Sequence, residues 1–366
     1  MTARIEYIEW IEPRLDQTHD LGSSDLAGSW PTDPDAILAR YSPDKVPEPT
    51  VAEFIAREYG VDPERVLVTA GASHANFLAF AAALDPDEST PPGERGRVLV
   101  EWPGYEPLVR TPEQLGAVVD RFHRLPDRAY QLDPGRVRAA LTDRTSLVVT
   151  TNRHNPSGKL TDRETLADVA EVAGDTRLLV DEVYEPFVDR TQSADGSGRA
   201  FGGPTAAGIE NVVVTGSMTK FFGLGALGLG WLIADPEFVD RARRLRYHVP
   251  AVAETSRALA RQILADVDSL ACDARALLER NTELLDAFCA ARTDLSDPVD
   301  ANVTFRFLTH DRADGDEVAA AAESEGVLVV PGRFFDEPDH FRVSVSGPVT
   351  ATKSALDAFG DVLDGL

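Results

Sequence analysis

The sequence predicts an α/β protein, with a mostly parallel sheet covered by helices in a large domain and a smaller α+β domain after it. From about residue 50 to 245, short apolar runs alternate with helix-patterned stretches, and parallel strands buried on both faces need such crossovers. From about residue 251, long helical stretches precede a few strand-like segments. We therefore expect a large domain at 49–248, a small domain at 249–366, and an N-terminal segment, 1–48, that joins the small domain as a lid.

The elements follow a regular order along the large domain. The helix-like VAEFIAREYG precedes the strand-like VLVTA and a second helical run from Ser73 to Leu84. Four further apolar runs end in polar or glycine-rich residues: RVLVEWPGY, SLVVTTNRHNPSG, TRLLVDEVYEPF and NVVVTGSMTK. Ligands of open α/β sheets bind beyond the carboxyl ends of the strands, so residues directly after these runs are the candidates for a site. Near the C-terminus, VTFRFL, VLVVPG and FRVSVS predict strands of the small domain.

The charge and the hydropathy of the chain argue against nucleic acid and membrane as partners. With 36 basic and 61 acidic side chains, the net charge is −25, which rules out nucleic-acid binding through a basic face. No apolar run approaches the roughly 18 to 20 residues of a membrane span, and the first residues lack the pattern of a signal peptide, so we expect a cytoplasmic protein. The acidic residues are dispersed and only four lysines are present, which favours a salt-adapted organism.

Cysteine and histidine chemistry receive no support from the sequence. Cys272 and Cys289 are too few for a disulfide framework and lie in a helix-patterned stretch, so we expect two buried thiols. The histidines and carboxylates form no cluster at the spacing of a metal site, and we expect no metal. His74 and His154 stand beside candidate site motifs, where they either line the pocket or are satisfied polar residues at helix and loop starts.

Four strand ends carry side chains that could bind a ligand or take part in catalysis. Asp181 and Glu182 directly follow a buried strand, where a carboxylate is costly unless a cation pairs with it. Small residues open the helix after VLVTA, which exposes backbone N–H groups to an anion such as phosphate. The candidate residues at these ends are Gly71, Ala72, Ser73, Asn155, Asp181, Tyr184, Ser217 and Lys220. An amine, an anion, and donors for a phenolate and a phosphate are the groups that pyridoxal phosphate requires.

Several motifs resemble those of one family in their order. VTAGAS, WPGY, NRHNPSG, VDEVY, SMTKFFGLGALGLGW and FRVSVS are similar to the motifs of class I/II aminotransferases of fold type I, over roughly residues 50–346. The resemblance implies a seven-stranded type of sheet between helices, pyridoxal phosphate as cofactor, and a homodimer. Within the family, EYIEW, GASHANFLAF and YEPL are similar to a subgroup that contains capreomycidine-synthase-like enzymes.

The resemblance also implies roles for residues around the cofactor ring. Lys220 would form the Schiff base and then move the Cα proton, and Asp181 would pair with the pyridinium nitrogen. Tyr184 and Asn155 would hydrogen-bond the ring oxygen, with Asn155 also near the substrate carboxylate. Tyr105 would stack on the ring.

Other residues would hold the two charged ends. Arg342 would bind the substrate α-carboxylate as a bidentate fork, which lysine cannot do. Ala72, Ser73 and Ser217 would bind the phosphate, the first two mainly through backbone N–H groups, and Gly71 beside them is a further cofactor-binding residue.

One position departs from the family pattern. An arginine that clamps the phosphate is expected eight residues after the lysine, and this chain has Gly228 there. Either another arginine substitutes, with Arg333 as a guess, or cofactor binding is weak, or the protein has lost catalysis. Gly223, Gly225 and Gly228 also satisfy G-x-G-x-x-G, but GLGWLIAD predicts a strand where a dinucleotide site needs a helix.

The reaction is less determined than the cofactor. Transamination between an amino acid and a 2-oxo acid is the first hypothesis, because a fixed α-carboxylate directs cleavage to the Cα–H bond. A lyase or cyclase acting on an amino acid is the second, and a catalytically silent protein is the third. Trp30 is expected in the lid, and Tyr41 is a candidate for a phosphate contact borrowed from a second subunit.

Overall fold

The computed structural model describes residues 5–15, 17–26, 47–85, 96–187, 201, 203–249, 251–297, 299 and 303–366. Trp30 and Tyr41 lie outside these residues. The helices with at least six residues are α1 Glu6–Ile11, α2 Val51–Tyr59, α3 Ala72–Leu84, α4 Glu106–Gln114, α5 Pro134–Ala140, α6 Arg163–Ala173, α7 Pro236–Arg246, α8 Glu254–Leu264, α9 Val267–Ala290, α10 Gly315–Ser324 and α11 Val349–Asp364. None of these described helices has the length and apolar character that crossing a bilayer requires.

The large sheet is mostly parallel, as the sequence predicts. Its strands are β2 Val66–Thr69, β3 Arg97–Trp102, β4 Val118–His123, β5 Thr145–Thr151, β6 Arg177–Asp181, β7 Val212–Ser217 and β8 Gly230–Ile233. They lie in the order β2-β8-β7-β6-β5-β3-β4, and each neighbouring pair from β7 to β4 is parallel. Strand β8 runs antiparallel to both β2 and β7. The α/β prediction is therefore confirmed.

Both faces of this sheet are buried, because successive side chains point to opposite faces of a strand. Val148 lies in one hydrophobic core and Val149 in the other, and both side chains are fully buried. The same alternation recurs at Val213 and Val214 of β7. The continuous valine runs of the sequence therefore supply two cores, and their polar residues fall at the strand ends.

A smaller antiparallel sheet follows in the C-terminal part. It consists of β9 Leu295–Ser296, β10 Phe305–His310, β12 Val330–Pro331 and β13 His340–Ser344, in the order β12-β13-β10-β9. Strand β1, His19–Asp20, pairs in parallel with β11, Val327–Leu328, so the N-terminal segment is tied to the C-terminal part. The division at residues 48 and 248 into domains stays a prediction.

Two local expectations can be compared with the structure. After the G-x-G-x-x-G residues the chain enters β8, and the next α-helix begins at Pro236, so the strand predicted from GLGWLIAD is confirmed. The expectation of two buried thiols was wrong, since Cys272 is exposed and Cys289 is half-buried. On α9 the neighbouring Ala271 and Ala274 occupy the buried face, and Cys272 points away from it.

Candidate active site

A cavity of about 300 Å³ lies at the carboxyl ends of the large sheet's strands. Every site residue predicted from the sequence lines it: Gly71, Ala72, Ser73, Tyr105, Asn155, Asp181, Tyr184, Ser217, Lys220 and Arg342. The first nine lie at the strand ends of the large sheet or in the segments that follow them, and Arg342 enters from β13 of the smaller sheet. The structure thus brings together residues that are up to 271 positions apart along the chain.

Lys220 stands three residues beyond the end of β7. Its backbone oxygen accepts hydrogen bonds from Leu26 and Gly223, which hold the turn in place at 2.9 and 3.3 Å. Burial lowers the pKa of the ammonium group, whereas Tyr184 and Asp25 raise it, and the net pKa lies above its usual value. The cofactor-free protein therefore carries a protonated amine in the cavity at neutral pH.

Asp181 is the last residue of β6 and is 4% exposed. Its carboxylate accepts hydrogen bonds from the Asn76 side chain at 2.8 Å and from the Val183 backbone at 3.2 Å. Burial raises its pKa to about 6, and the two hydrogen bonds and the charge of Lys220 limit that rise. A positively charged ligand atom beside this carboxylate would remove the cost of its burial.

Arg342 is a fully buried guanidinium beside Asn155. Its Nη1 donates to the Asn155 side-chain oxygen at 2.9 Å, and its Nη2 donates to Tyr7 Oη and to the Gly22 backbone oxygen. Among the described residues its Nε has no hydrogen-bond partner. No carboxylate of the described chain neutralises this arginine in a salt bridge, which makes it a ready site for a ligand carboxylate.

Tyr184 and Tyr105 face the same cavity from two different connections. The Tyr184 hydroxyl lies 2.7 Å from Ser24 Oγ, and its side chain is 2% exposed. Tyr105 follows β3 and packs edge-on against Tyr7, with ring centroids 5.7 Å apart. Burial raises the pKa of Tyr105 well above its usual value, so this phenol stays neutral.

The N-terminal helix α1 reaches the site through Glu106. The Glu106 carboxylate accepts from the backbone N–H groups of Glu6 at 3.2 Å and of Tyr7 at 2.6 Å. This places an anion at the positive end of α1, which stabilises the contact. Tyr7 is thereby positioned next to Arg342 and Tyr105.

A buried ion pair supports the Asn155 side of the cavity. Glu101 and Arg124 are fully buried and lie 2.9 Å apart. The Glu101 carboxylate also accepts from the Thr150 hydroxyl and from the backbone N–H and hydroxyl of Thr151. The Thr151 hydroxyl oxygen in turn accepts from the Asn155 backbone at 2.9 Å, so the buried pair positions this connection.

The opposite end of the cavity is open and carries no cationic side chain among its lining residues. Helix α3 begins there with Gly71 at a φ of +85°, and no side chain caps the helix. A Cβ atom on Gly71 or on Gly228 would meet nothing within 4 Å. Ser73 and Gly228 are exposed, and Ser217 is buried. Backbone N–H groups, hydroxyls and free space suit an anion at this end.

Arg333 does not replace the missing arginine in this structure. Its side chain pairs with Asp316 and lies over the rings of Phe334 and Trp10. It does not line the cavity. This guess from the sequence was wrong because the turn that carries Arg333 packs against α1 and α10, and the sequence does not show that packing.

His154 and Glu182 have local structural partners. His154 donates from Nε2 to the Pro103 oxygen at 3.0 Å and accepts from the Ser157 hydroxyl, which joins two connections. Burial lowers its pKa well below the usual value, so it is neutral. The Glu182 carboxylate binds the Thr205 hydroxyl and the Ala206 backbone N–H. His74 accepts from the Ala70 backbone and also does not line the cavity.

Sequence reasoning missed several residues that line the cavity: Tyr7, Ser24, Asn76, Thr151 and Thr219. Thr219 belongs to the SMTK motif and could have been found there. Asn76 is a polar residue in an otherwise apolar stretch of α3, and that contrast was a usable signal. Tyr7 and Ser24 come from a segment whose position depends on tertiary contacts alone.

Comparison with known proteins identifies the family. The profile of the family described as "Aminotransferase class I and II" matches residues 43–359. This chain belongs to the class I and II aminotransferases. Histidinol-phosphate aminotransferase of Rhodospirillum centenum is 26% identical over 316 residues, which cover 86% of this chain and 81% of that protein. Capreomycidine synthase of Streptomyces vinaceus is 28% identical over 338 residues, covering 90% and 82%.

The fold of this aminotransferase is shared with solved structures. A pyridoxal-phosphate-dependent aminotransferase from Streptococcus suis superposes with a TM-score of 0.84 at 22% identity, covering 100% of this chain and 98% of that one. Pyridoxal phosphate is the cofactor of the family, and the residues of the cavity fit it. The cavity offers an amine, a buried carboxylate without a salt-bridge partner among the described residues, and an open helix N-terminus of the kind that binds phosphate.

Proposed function

We propose that the protein is an aminotransferase that moves an amino group between an L-amino acid and a 2-oxo acid. The observation that carries the proposal is the placement of Lys220, Asp181 and Arg342 around one cavity. Pyridoxal phosphate, when bound, supplies an aldehyde carbon that amines attack and a ring that accepts the electrons of a cleaved Cα bond.

Lys220 and Asp181 would act on the cofactor. Lys220 would hold the aldehyde carbon before substrate arrives and then carry the proton to and from the substrate Cα. Asp181 would keep the ring nitrogen protonated, because its buried anion gains most from a cation at that position. Tyr184 and Asn155 would hydrogen-bond the ring oxygen, and Tyr105 would lie against the ring.

Arg342 would select the substrate. Its guanidinium is held by Asn155, Tyr7 and a backbone oxygen, so it is oriented before a carboxylate binds. A carboxylate fixed there would keep the Cα–H bond in the orientation from which Lys220 removes the proton. The phosphate would lie at the start of α3, with Gly71, Ala72, Ser73 and Ser217 as donors.

An absorption experiment with the full chain in high salt tests the proposal. Pyridoxal phosphate is added to the wild type, to Lys220→Ala and to Lys353→Ala, whose exposed lysine pairs with Asp357 on α11. We expect a visible band that Lys220→Ala lacks and Lys353→Ala retains. An amino acid should bleach the band, and a 2-oxo acid should restore it. If no Lys220-dependent band forms at saturating cofactor, the protein is silent, and the loss at Gly228 becomes the leading explanation.

A lyase or cyclase acting on an amino acid is the second candidate. The relative that motivates it is the capreomycidine synthase of Streptomyces vinaceus, whose match covers 90% of this chain. Mass spectrometry of the products separates the two reactions. Transamination consumes one 2-oxo acid for each amino acid, whereas elimination or cyclisation proceeds without a 2-oxo acid.

The proposal includes the oligomeric state of the protein and its location in the cell. We expect a homodimer in the cytoplasm, in which Tyr41 of one subunit contacts the phosphate of the other. Among the described residues, Tyr247 and Val249 after α7 are exposed large apolar side chains, 70% and 46% exposed, and offer surface for a second copy. Light scattering of the purified protein tests the dimer, and cell fractionation tests the location.

A further inference from the structure

Asn76 is a buried amide that lines the cavity and has two side-chain hydrogen-bond partners. It lies on α3, is 7% exposed, and interrupts a run of small and apolar residues. Its side-chain oxygen accepts from the Thr215 hydroxyl at 2.6 Å, and its side-chain nitrogen donates to Asp181 at 2.8 Å. Thr215 is fully buried and is the cross-strand neighbour of Asp181.

The direction of this chain of hydrogen bonds is determined by its members. A carboxylate can only accept, so the Asn76 group that faces Asp181 must be the NH₂. The amide oxygen then faces Thr215, whose hydroxyl donates to it. Thr215 therefore determines the orientation of the amide, and the amide holds one oxygen of the carboxylate.

The two groups that hold Asp181 are neutral. Asn76 binds one oxygen and the Val183 backbone N–H binds the other, while Lys220 acts on the carboxylate as a charge at longer range. A cationic partner would compensate the anion and reduce its effect on a ligand. Neutral donors keep the carboxylate ionised and oriented, and leave its charge for the ligand.

We propose that Asn76, oriented by Thr215, is the positioning residue that holds Asp181 ready for the protonated ring nitrogen of pyridoxal phosphate. The inference rests on the proposed role of Asp181 and adds to it. Without the amide, the Thr215 hydroxyl and one Asp181 oxygen would each lose a hydrogen-bond partner, so Asn76 serves the buried hydroxyl as well as the carboxylate.

Other charged and titratable groups face Asp181 as well. Glu101 raises its pKa and Lys220 lowers it, while Asp181 in turn raises the pKa of Glu182, and Tyr105 stays neutral. The hydrogen bond from Asn76 is the largest of the influences that lower the pKa. Without Asn76, the pKa of Asp181 should be higher than in the wild type. As the pH is lowered, Asp181 should therefore become protonated, and affinity for the cofactor should fall, at a higher pH than in the wild type.

The test measures cofactor affinity as a function of pH, on the full chain freed of cofactor. Two probes are compared: pyridoxal phosphate and its analogue in which CH replaces the ring nitrogen. The variants are Asn76→Leu, Thr215→Val, the double variant Asn76→Leu/Thr215→Val, and Asp181→Asn. Asn281→Leu is the control, because Asn281 is an equally buried amide that binds the Val345 and Gly347 backbone in the C-terminal part.

For Asn76→Leu we expect roughly tenfold weaker binding of pyridoxal phosphate at pH 7, as the loss of one hydrogen bond to a charged group predicts. The pH at which affinity falls should move upward by about one unit. The nitrogen-free analogue should bind Asn76→Leu and the wild type equally. Asn281→Leu should lower the stability and leave both affinities unchanged.

The double variant separates positioning from folding. It leaves no buried hydroxyl unpaired, so it should recover much of the stability that Asn76→Leu loses, but none of the affinity. Recovery of affinity as well would overturn the proposal, because Asn76 would then be structural only. If Asn76→Leu alone does not fold, the double variant carries the same comparison.

The experiment also distinguishes failure of the inference from failure of the proposed function. If Asp181→Asn loses the preference for pyridoxal phosphate over the analogue and the Asn76 variants keep it, the inference is wrong and the role of Asp181 stands. If Asp181→Asn binds both probes like the wild type, the role of Asp181 is wrong, and the inference falls with it.

Discussion

The two ends of the cavity are built differently. At the end of Lys220, Asp181 and Arg342, the side chains of Asp181 and Arg342 are held by hydrogen bonds to the buried amides of Asn76 and Asn155. At the end of Gly71 and Gly228, the chain offers backbone groups, hydroxyls and open space. The described lining of the cavity thus retains the groups that would perform the chemistry, and it includes no arginine that would anchor the phosphate at this end.

We therefore expect substitutions to separate the groups that would act on the cofactor ring from the groups that would hold its phosphate. The end with Lys220, Asp181 and Arg342, called here the chemical end, depends on tertiary contacts between distant parts of the chain, so single changes there should be severe. The phosphate end depends on a helix start and a tight turn, so changes there should alter affinity and leave the chemistry intact. Variants at the two ends should therefore differ in kind as well as in size.

Asp181→Asn should give the largest loss of activity. Without the anion, the ring nitrogen is no longer held protonated, and turnover should fall on the order of a hundredfold or more. Steady-state kinetics at saturating pyridoxal phosphate measures this loss. Unchanged turnover would show that Asp181 does not face the ring nitrogen.

The same variant should be more stable than the wild type when both lack the cofactor. Burial raises the Asp181 pKa from 3.8 to about 6, so between these values the native state keeps a proton that the unfolded state has lost. Stability contributed by this group therefore falls as pH rises from about 4 to 6. Above pH 6, Asp181→Asn should gain up to about 3 kcal/mol in unfolding free energy, and the gain should vanish near pH 4.

Glu101→Gln should lower the free energy of unfolding, because it disrupts the buried Glu101–Arg124 pair beside the cavity. The change leaves the fully buried Arg124 without its counter-ion, which costs about 3 to 5 kcal/mol for a buried pair. Urea unfolding measures the loss. Asp120→Asn is the control on the adjacent strand, since the Arg97–Asp120 pair is about 28% exposed and should contribute about 1 kcal/mol or less. Equal effects of the two variants would contradict the assignment of Glu101 as a buried support.

The sequence predicts the chemical end well because its residues follow apolar runs directly. Lys220, Asp181 and Asn155 stand at strand ends, and parallel strands present their carboxyl ends at the same edge. Arg342 was predicted because FRVSVS resembles a strand of the family, and it stands 122 residues after Lys220 in the sequence. The sequence could not predict Tyr7, because α1 is placed by its contact with Glu106, about a hundred residues away along the chain.

The failed expectations have the same physical origin. Arg333 was the guess for a substitute phosphate contact, but its side chain pairs with Asp316 and does not line the cavity. Cys272 was expected to be buried because its stretch is helical. Successive residues of a helix are rotated by about 100°, so Cys272 is exposed although its neighbour Ala271 is buried. Periodicity predicts that a face is buried, whereas tertiary packing decides which residues reach a given site.

Gly228→Arg should strengthen cofactor binding without changing the chemistry. A Cβ there meets open space, so the new side chain can reach the phosphate end. The φ of +53° is unfavourable for arginine by about 1 kcal/mol, against about 1.5 to 3 kcal/mol for a charged hydrogen bond. We expect roughly tenfold tighter binding of pyridoxal phosphate with turnover unchanged. Ala226→Arg is the control, since it adds the same charge on the same turn at an exposed position that does not line the cavity; equal tightening by both would show a general charge effect.

High salt should reduce the gain in cofactor affinity of Gly228→Arg, because the end of the cavity at Ser73 and Gly228 is exposed to solvent. Screening at multimolar KCl weakens an exposed arginine–phosphate pair, while hydrogen bonds from backbone N–H groups depend less on ionic strength. The affinity gain of Gly228→Arg should therefore shrink towards nothing between dilute buffer and multimolar KCl. The wild type, with its net charge of −25, should become more stable over the same range as its self-repulsion is screened. Equal stability in dilute and multimolar KCl would rule out salt adaptation, and the missing arginine would then need another explanation.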